Sequence, residues 1–185
     1  MKKITYSLGI FVLMMMFTGC AGVGKHEFAL NDQYVAKANT KINIGAVKKN
    51  SSTMSDANIE QILKDAIIEK LTQKELLWQQ DINPKLTLNI KILEYSEGNA
   101  YKRWLAPGAG WGATSLLIKA DLKDGDVLIG TGKATRSVSA GGVGTIGAWK
   151  YVFTDLAEDL VNDLKSAYEK QKITKLTLAT TEILH

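Results

Sequence analysis

The chain has 185 residues, 45% hydrophobic and 23% charged, a balance that fits one folded globular core and excludes a low-complexity polymer. The formal charge is +4, and 23 basic residues stand against 19 acidic ones. Loss of the two N-terminal lysines would leave the balance near neutral, so nothing argues for a polyanion, and nucleic acid is not an expected partner.

Lys2 and Lys3 precede the apolar run Leu8–Phe17, "LGIFVLMMMF". A spanning helix needs roughly 20 apolar residues, and this run is about half as long, so it reads as a secretory signal. The segment continues "MFTGCAG", with small residues Thr18 and Gly19 directly before Cys20, the single cysteine. It resembles a bacterial lipoprotein signal. The resemblance implies removal of residues 1–19, lipid on the Cys20 thiol, and a membrane partner through that anchor. Phe17 stands where such signals commonly carry Leu, and Ala21 follows the pattern sent to the outer membrane, facing the periplasm. The alternative is an ordinary signal peptide followed by a free thiol. With Cys20 used, no disulfide can form, and the core must suffice alone.

Residues 20–40 mix Gly, Ala, Asn and charge without a sustained period and read as a tether with little regular structure, leaving 41–185 as a single domain. "KINIGAVKK", 41–49, alternates as a strand with Ile42, Ile44 and Ala46 on one face. Ser55 is the expected N-cap of a helix whose stripe is Ile59, Ile62, Leu63, Ala66, Ile67 and Leu71. "KLTLNIKI", 85–92, alternates without error, and "TSLLIKADL" and "VLIGTGKATRSVS" form a hairpin turning at Asp124-Gly125. A last helix runs from Ala148 to about Lys170 with Trp149, Val152, Phe153, Leu156, Leu160 and Val161 on one face, and 173–185 reads as a weak strand, with a loose end as the alternative. The expected fold is α/β (α+β): an antiparallel or mixed sheet of four or five strands with two helices packed on one face, ordered β-α-β-β-β-α and then the weak strand. The opposite sheet face is polar and meets water or a partner.

"SAGGVGTIGAWK", 139–150, spaces Gly142, Gly144 and Gly147 as a dinucleotide loop does. That motif needs a strand-helix-strand unit and an acidic residue ending the next strand about 20 residues on. Here the preceding strand is the second arm of a hairpin, and Glu169 falls inside a helix. No phosphate-loop lysine is present either, so the stretch reads as a linker and no cofactor is expected. "GNAYKRWLAPGAGWGATS", 98–115, is a second glycine-rich loop, which the hairpin should bring beside the first. Lys102, Arg103, Trp104, Gly110, Trp111, Gly142, Gly144 and Trp149 then form a candidate patch for a partner or ligand. The alternative is that the tryptophans cap the core.

The order of these features, from "GNAYKRWLAPGAGWG" through the hairpin to a Gly/Ser loop before an amphipathic helix, resembles small bacterial lipoproteins of domain of unknown function family 4410. That resemblance implies no catalytic residues. His26 sits in the tether and His185 ends the chain, so neither has an expected metal or acid-base partner. Asp155, Glu158, Asp159 and Asp163 share a helix face and read as solvated, and Ser137 and Ser139 lack a nucleophile turn. The expectation is a non-enzymatic accessory or assembly lipoprotein of the envelope that presents its Gly/Trp patch to another envelope protein, with self-association left open. The alternative is a periplasmic binding module for a small apolar or glycan ligand.

Overall fold

The computed structural model describes residues 23–35, 39–51, 58–80, 85–105, 112–139 and 149–183. In chain order the elements are β1 (Val23–Leu30), β2 (Lys41–Lys49), α1 (Ile59–Gln73), β3 (Lys85–Ser96), α2 (Ala100–Leu105), β4 (Thr114–Asp124), β5 (Val127–Val138) and α3 (Trp149–Ile183). One mixed sheet runs β1-β5-β4-β3-β2. Among the described strands of this sheet, β2 and β3 pair parallel, because α1 carries the chain between them, and the other neighbours are antiparallel.

Period-two alternation decides which face is buried. Leu86, Leu88, Ile90 and Ile92 of β3 and Leu116, Ile118, Ala120 and Leu122 of β4 point into the core, each at 3% exposure or less. The α1 stripe Ile59, Leu63, Ala66, Ile67 and Leu71 and the α3 stripe Val152, Phe153, Leu156, Leu160, Val161 and Leu164 close over that face. The expected sheet with two helices on one side is therefore the observed architecture.

Two bulges change which residues face inward. The register between β2 and β3 shifts between Ile44 and Val47, so Val47 packs on the core and Ala46 is exposed, correcting the inward placement of Ala46. The Asn89 side chain holds that bulge by accepting the Ala46 N–H at 3.0 Å. A second shift between Ile92 and Glu94 sets Tyr95 opposite the core residue Leu116 and its ring 5.5 Å from Phe153.

Four further expectations are corrected. The tether is not without regular structure: β1 occupies Val23–Leu30 and is paired along its whole length with β5, from Val23 opposite Ser137 to Leu30 opposite Gly130. The fifth strand thus comes from the start of the chain, and the tail that reads as a strand is helix, because α3 continues to Ile183. Asn58, not Ser55, caps α1, its Oδ1 accepting the Gln61 N–H at 3.2 Å; Ser55 lies outside the described residues. The hairpin turns on Gly125 and Asp126, one residue later than expected, with Gly125 at φ 59°.

The two sheet edges differ. Beside β2, Leu76–Trp78 runs alongside Ile42, whose N–H donates to the Leu76 carbonyl and whose carbonyl accepts from the Trp78 N–H, both at 2.8 Å. β1 forms the opposite edge, with the exposed charges Lys25 and Glu27 on it, a common guard against uncontrolled strand pairing.

Candidate functional site

Two surfaces gather chemistry-bearing residues. The first lies where α3 crosses β1 and β5. Because Gly24, His26, Phe28 and Leu30 alternate onto the helix-facing side of β1, His26 meets α3: its Nδ1 is 2.8 Å from Asp163 Oδ2 and its Nε2 3.8 Å from Asp159 Oδ1. Arg136 of β5 lies along the other side of Asp159, Nε 3.1 Å from Oδ2 and Nη2 3.5 Å from Oδ1. Glu158 pairs with Lys70 of α1 at 3.4 Å. Asp159 and Asp163 of this α3 face are therefore clasped to β1 and β5 rather than solvated, while Glu158 reaches α1 from an exposed position. His26, expected to be without a partner, is one of the clasped groups.

Burial pushes the Asp159 carboxyl above its ordinary value, against the pull of Arg136 and His26 and with Asp155 and Asp163 adding to the rise. The fold thus holds the Asp159 proton more tightly than the unfolded chain does. Ionisation of Asp159 costs stability at neutral pH, and the cost disappears as pH falls through the folded-state value and below the unfolded one. Asp159→Asn lacks this dependence. Urea midpoints taken from about pH 6 to about pH 3 are expected to move in favour of the wild type relative to the variant. A wild type that loses ground over that window would mean that the neighbouring cations outweigh burial.

Beside the clasp, β1 and α3 bound an open groove of about 700 Å³, lined among others by His26, Phe28, Leu30, Asp163, Ala167 and Lys170. Nearby, Tyr34, four residues after β1, meets Tyr168 of α3, the rings edge to face at 6.3 Å and the hydroxyls 3.4 Å apart. Burial, and after it the hydrogen bond with Tyr34, raises the Tyr168 hydroxyl above its ordinary value. The groove therefore offers apolar floor, a carboxylate and an ammonium.

The second surface is the sheet end from which β1 starts. Ser96, Ser115, Ser137 and Val23 are register partners across β3, β4, β5 and β1, so the two glycine-rich loops leave the sheet at this one end, as their expected proximity requires. The stem of the loop between β3 and β4 is pinned. Thr114 Oγ1 donates to the Glu97 carbonyl at 2.6 Å, the Asn99 N–H donates to the Gly112 carbonyl at 2.9 Å, and a side chain at Gly98 would strike that same carbonyl.

Of the candidate patch, Lys102 is exposed on α2, and Arg103 and Trp104 follow it on the same helix. Trp149 opens α3 and packs edge to face on Phe153 at 6.1 Å, so it caps the core, while Lys150 reaches to 5.6 Å from its ring. Gly110, Trp111, Gly142 and Gly144 lie outside the described residues, as does Cys20. Tyr101, Leu105 and Tyr151, which the sequence reading did not single out, are exposed at this end. Their signal was present in the alternation of aromatic and basic residues around Lys102 and Lys150.

Architecture and surfaces together define a single-sheet α/β domain with one guarded edge strand and an aromatic-basic end. The chain belongs to the family described as Domain of unknown function (DUF4410), whose profile matches residues 26–148. No curated protein matches it. Among solved structures it is similar to the PelC dodecamer of Paraburkholderia phytofirmans: 11% identity, 75% of this chain and 98% of that one covered, TM-score 0.47. A Leu-to-Met variant of PelC gives 13%, 77%, 98% and 0.49. A Caulobacter crescentus CB15 chain provisionally described as a lipoprotein gives 15% identity over 78% of this chain and 90% of that one, with TM-score 0.31.

Proposed function

We propose that this chain is a non-enzymatic accessory lipoprotein of the bacterial envelope, held by an acylated Cys20 on the outer membrane and facing the periplasm, where it meets another envelope protein. The observation that carries the reading is the position of β1. Its first residue, Val23, follows Cys20 by three positions and is locked to Ser137, so an anchor at Cys20 grips the sheet itself rather than the end of a loose tether. Two acyl chains at roughly 0.8 kcal/mol per buried methylene would hold such a domain on a bilayer stably, whereas one chain holds only marginally.

A domain gripped at one sheet end stands with its strands rising from the surface, and its polar face, bearing Lys91, Lys119, Lys133 and Thr131, looks along the membrane towards neighbouring proteins. That face and the β1 edge, rather than the anchored loop end, are the partner surface.

Cys20→Ser is expected to release the mature chain from the detergent phase into the soluble fraction with loss of the acyl mass. A photo-crosslinker at Lys119 or Lys133 in cells should give one discrete adduct with an envelope protein. Unchanged partitioning and mass in Cys20→Ser would end the lipoprotein reading. Measurable turnover by the purified chain would end the non-enzymatic one.

The groove beside Phe28 and Leu30 favours a second reading, a binding module for a small apolar or glycan ligand, with the site on β1 and α3 instead of between the loops. A small molecule retained in native mass spectra of the chain and lost on Phe28→Asp would support it over the accessory role.

A further inference from the structure

We infer that the sheet end carrying α2 and the start of α3 rests in the bilayer interface, with Tyr101, Leu105 and Tyr151 as its contacts and Lys102 and Lys150 beside them. The inference rests on acylation of Cys20 and adds to it an orientation and a lipid-contacting surface.

The length of chain between anchor and fold is what fixes the geometry. Three residues span at most about 3.3–3.6 Å each, so Val23 stands roughly 10 Å from the anchored sulfur's residue even when the link is fully extended. β1 cannot swing away to lengthen the leash, because every residue from Val23 to Leu30 is paired with β5. The register row Ser96, Ser115, Ser137 and Val23 then brings the last turns of the sheet down to the same level, and with them the helix that follows β3 and the helix that follows β5. Trp149, edge to face with Phe153, whose ring in turn meets Tyr95, fixes the start of α3 at that level.

The exposed side chains there suit a half-wet boundary. Tyr101 is 67% exposed, Leu105 57% and Tyr151 63%. Tyrosine is enriched at membrane interfaces because its ring is apolar and its hydroxyl wet, and lysine can lay its methylenes along that boundary while its ammonium meets phosphate. Lys102, Arg103 and Lys150 outnumber Glu94 and Glu97 at this end. The opposite end also exposes apolar residues, Val127 at 65% and Leu128 at 45%, but sets Val127 opposite Asp124 and next to Asp126, with Lys123 opposite Leu128 as the lone cation of that turn. Acidic carboxylates against a phosphate layer are unfavourable, so the two ends are not interchangeable.

The acylated full chain can be tested in vesicles of phosphatidylethanolamine and phosphatidylglycerol carrying a headgroup-spin-labelled lipid. Cys20 is the single cysteine, and its thiol is consumed by the lipid, so Tyr101→Cys, Tyr151→Cys and Val127→Cys each offer one labelling position for an environment-sensitive fluorophore. All three replaced side chains are exposed, so the variants should fold. The expected result is several-fold stronger spin-label quenching, a blue-shifted emission and protection from iodide at positions 101 and 151 compared with 127. Equal quenching at all three positions, or stronger quenching at 127, overturns the inference. Protection from iodide at 101 and 151 without lipid quenching assigns the end to a second copy of the chain and also overturns it. The intact mass keeps the two levels apart: a chain without acyl mass at Cys20 refutes the anchor, whereas an acylated chain with the wrong quenching order refutes only the orientation.

Discussion

Replacing Phe153 by alanine is expected to lower the unfolding free energy by about 3–5 kcal/mol. Phe153 is 1% exposed and stands where the first turns of α3 meet the end of β3, its ring 5.5 Å from Tyr95 and 6.1 Å from Trp149. Removing it loses burial, two ring contacts worth about 0.5–1.5 kcal/mol each, and the packing of a void that neighbours cannot fill. Collapse is restricted because Tyr95 is held in register opposite Leu116. Against a typical total of about 5–15 kcal/mol, this is a large fraction of the domain's stability. Urea unfolding followed by circular dichroism measures it, with the exposed Tyr151→Ala as a control that should fall within about 0.5 kcal/mol of wild type. A loss at Phe153 no larger than the control's would mean that this packing is not the keystone of the α3–β3 corner.

Gly132→Val should come next in severity and should act on the sheet edge. A Cβ at position 132 would lie 2.4 Å from Phe28 Cδ2 and 3.0 Å from the Glu27 carbonyl oxygen, so valine cannot enter without pushing β1 off β5. Overpacking of this kind costs about 1–3 kcal/mol and at times more. Here it should also open the clasp, since His26 reaches Asp163 only while β1 is seated. Faster hydrogen exchange confined to the β1 and β5 amides is the expected signature. Phe28→Ala combined with Gly132→Val should recover part of the loss, because the ring is the nearer obstacle, but not all of it, because the Glu27 carbonyl remains. Full additivity of the two substitutions would show that the ring and the glycine do not share a contact.

How far the sequence discloses this arrangement depends on how unequal the two faces of each element are. In β3 and β4 one face is Leu, Ile and Ala and the other largely polar, so both strands and the helices covering them are legible from period alone. β1 hides because its inward positions are Gly24, His26, Phe28 and Leu30: two apolar side chains, a glycine that leaves room for Arg136, and a histidine whose partners are on α3. No local pattern announces a contact with residues 137 positions away. The tail misleads for the opposite reason. "ITKLTLATTEI" is rich in β-branched residues, yet it follows an established helix with no glycine or proline to stop it, and continuing a helix costs far less than starting one. Bulges are legible only through their consequences, as Ala46 and Tyr95 show: one extra residue reverses which side chains look inward. At the aromatic-basic end, composition marked the place, but only the strand register shows that it shares a level with the start of β1.

The pairing of β1 with β5 also sets an order of events. The partners are a hundred or more residues apart, from Val23 with Ser137 to Leu30 with Gly130, so β1 must wait for the chain as far as Ser137 before it can be seated along its whole length. Non-local pairings of this kind form late, because loop closure has to be met before the contacts return anything. The β1–β5 ladder is therefore expected to close after the β3–β4 core on which it rests.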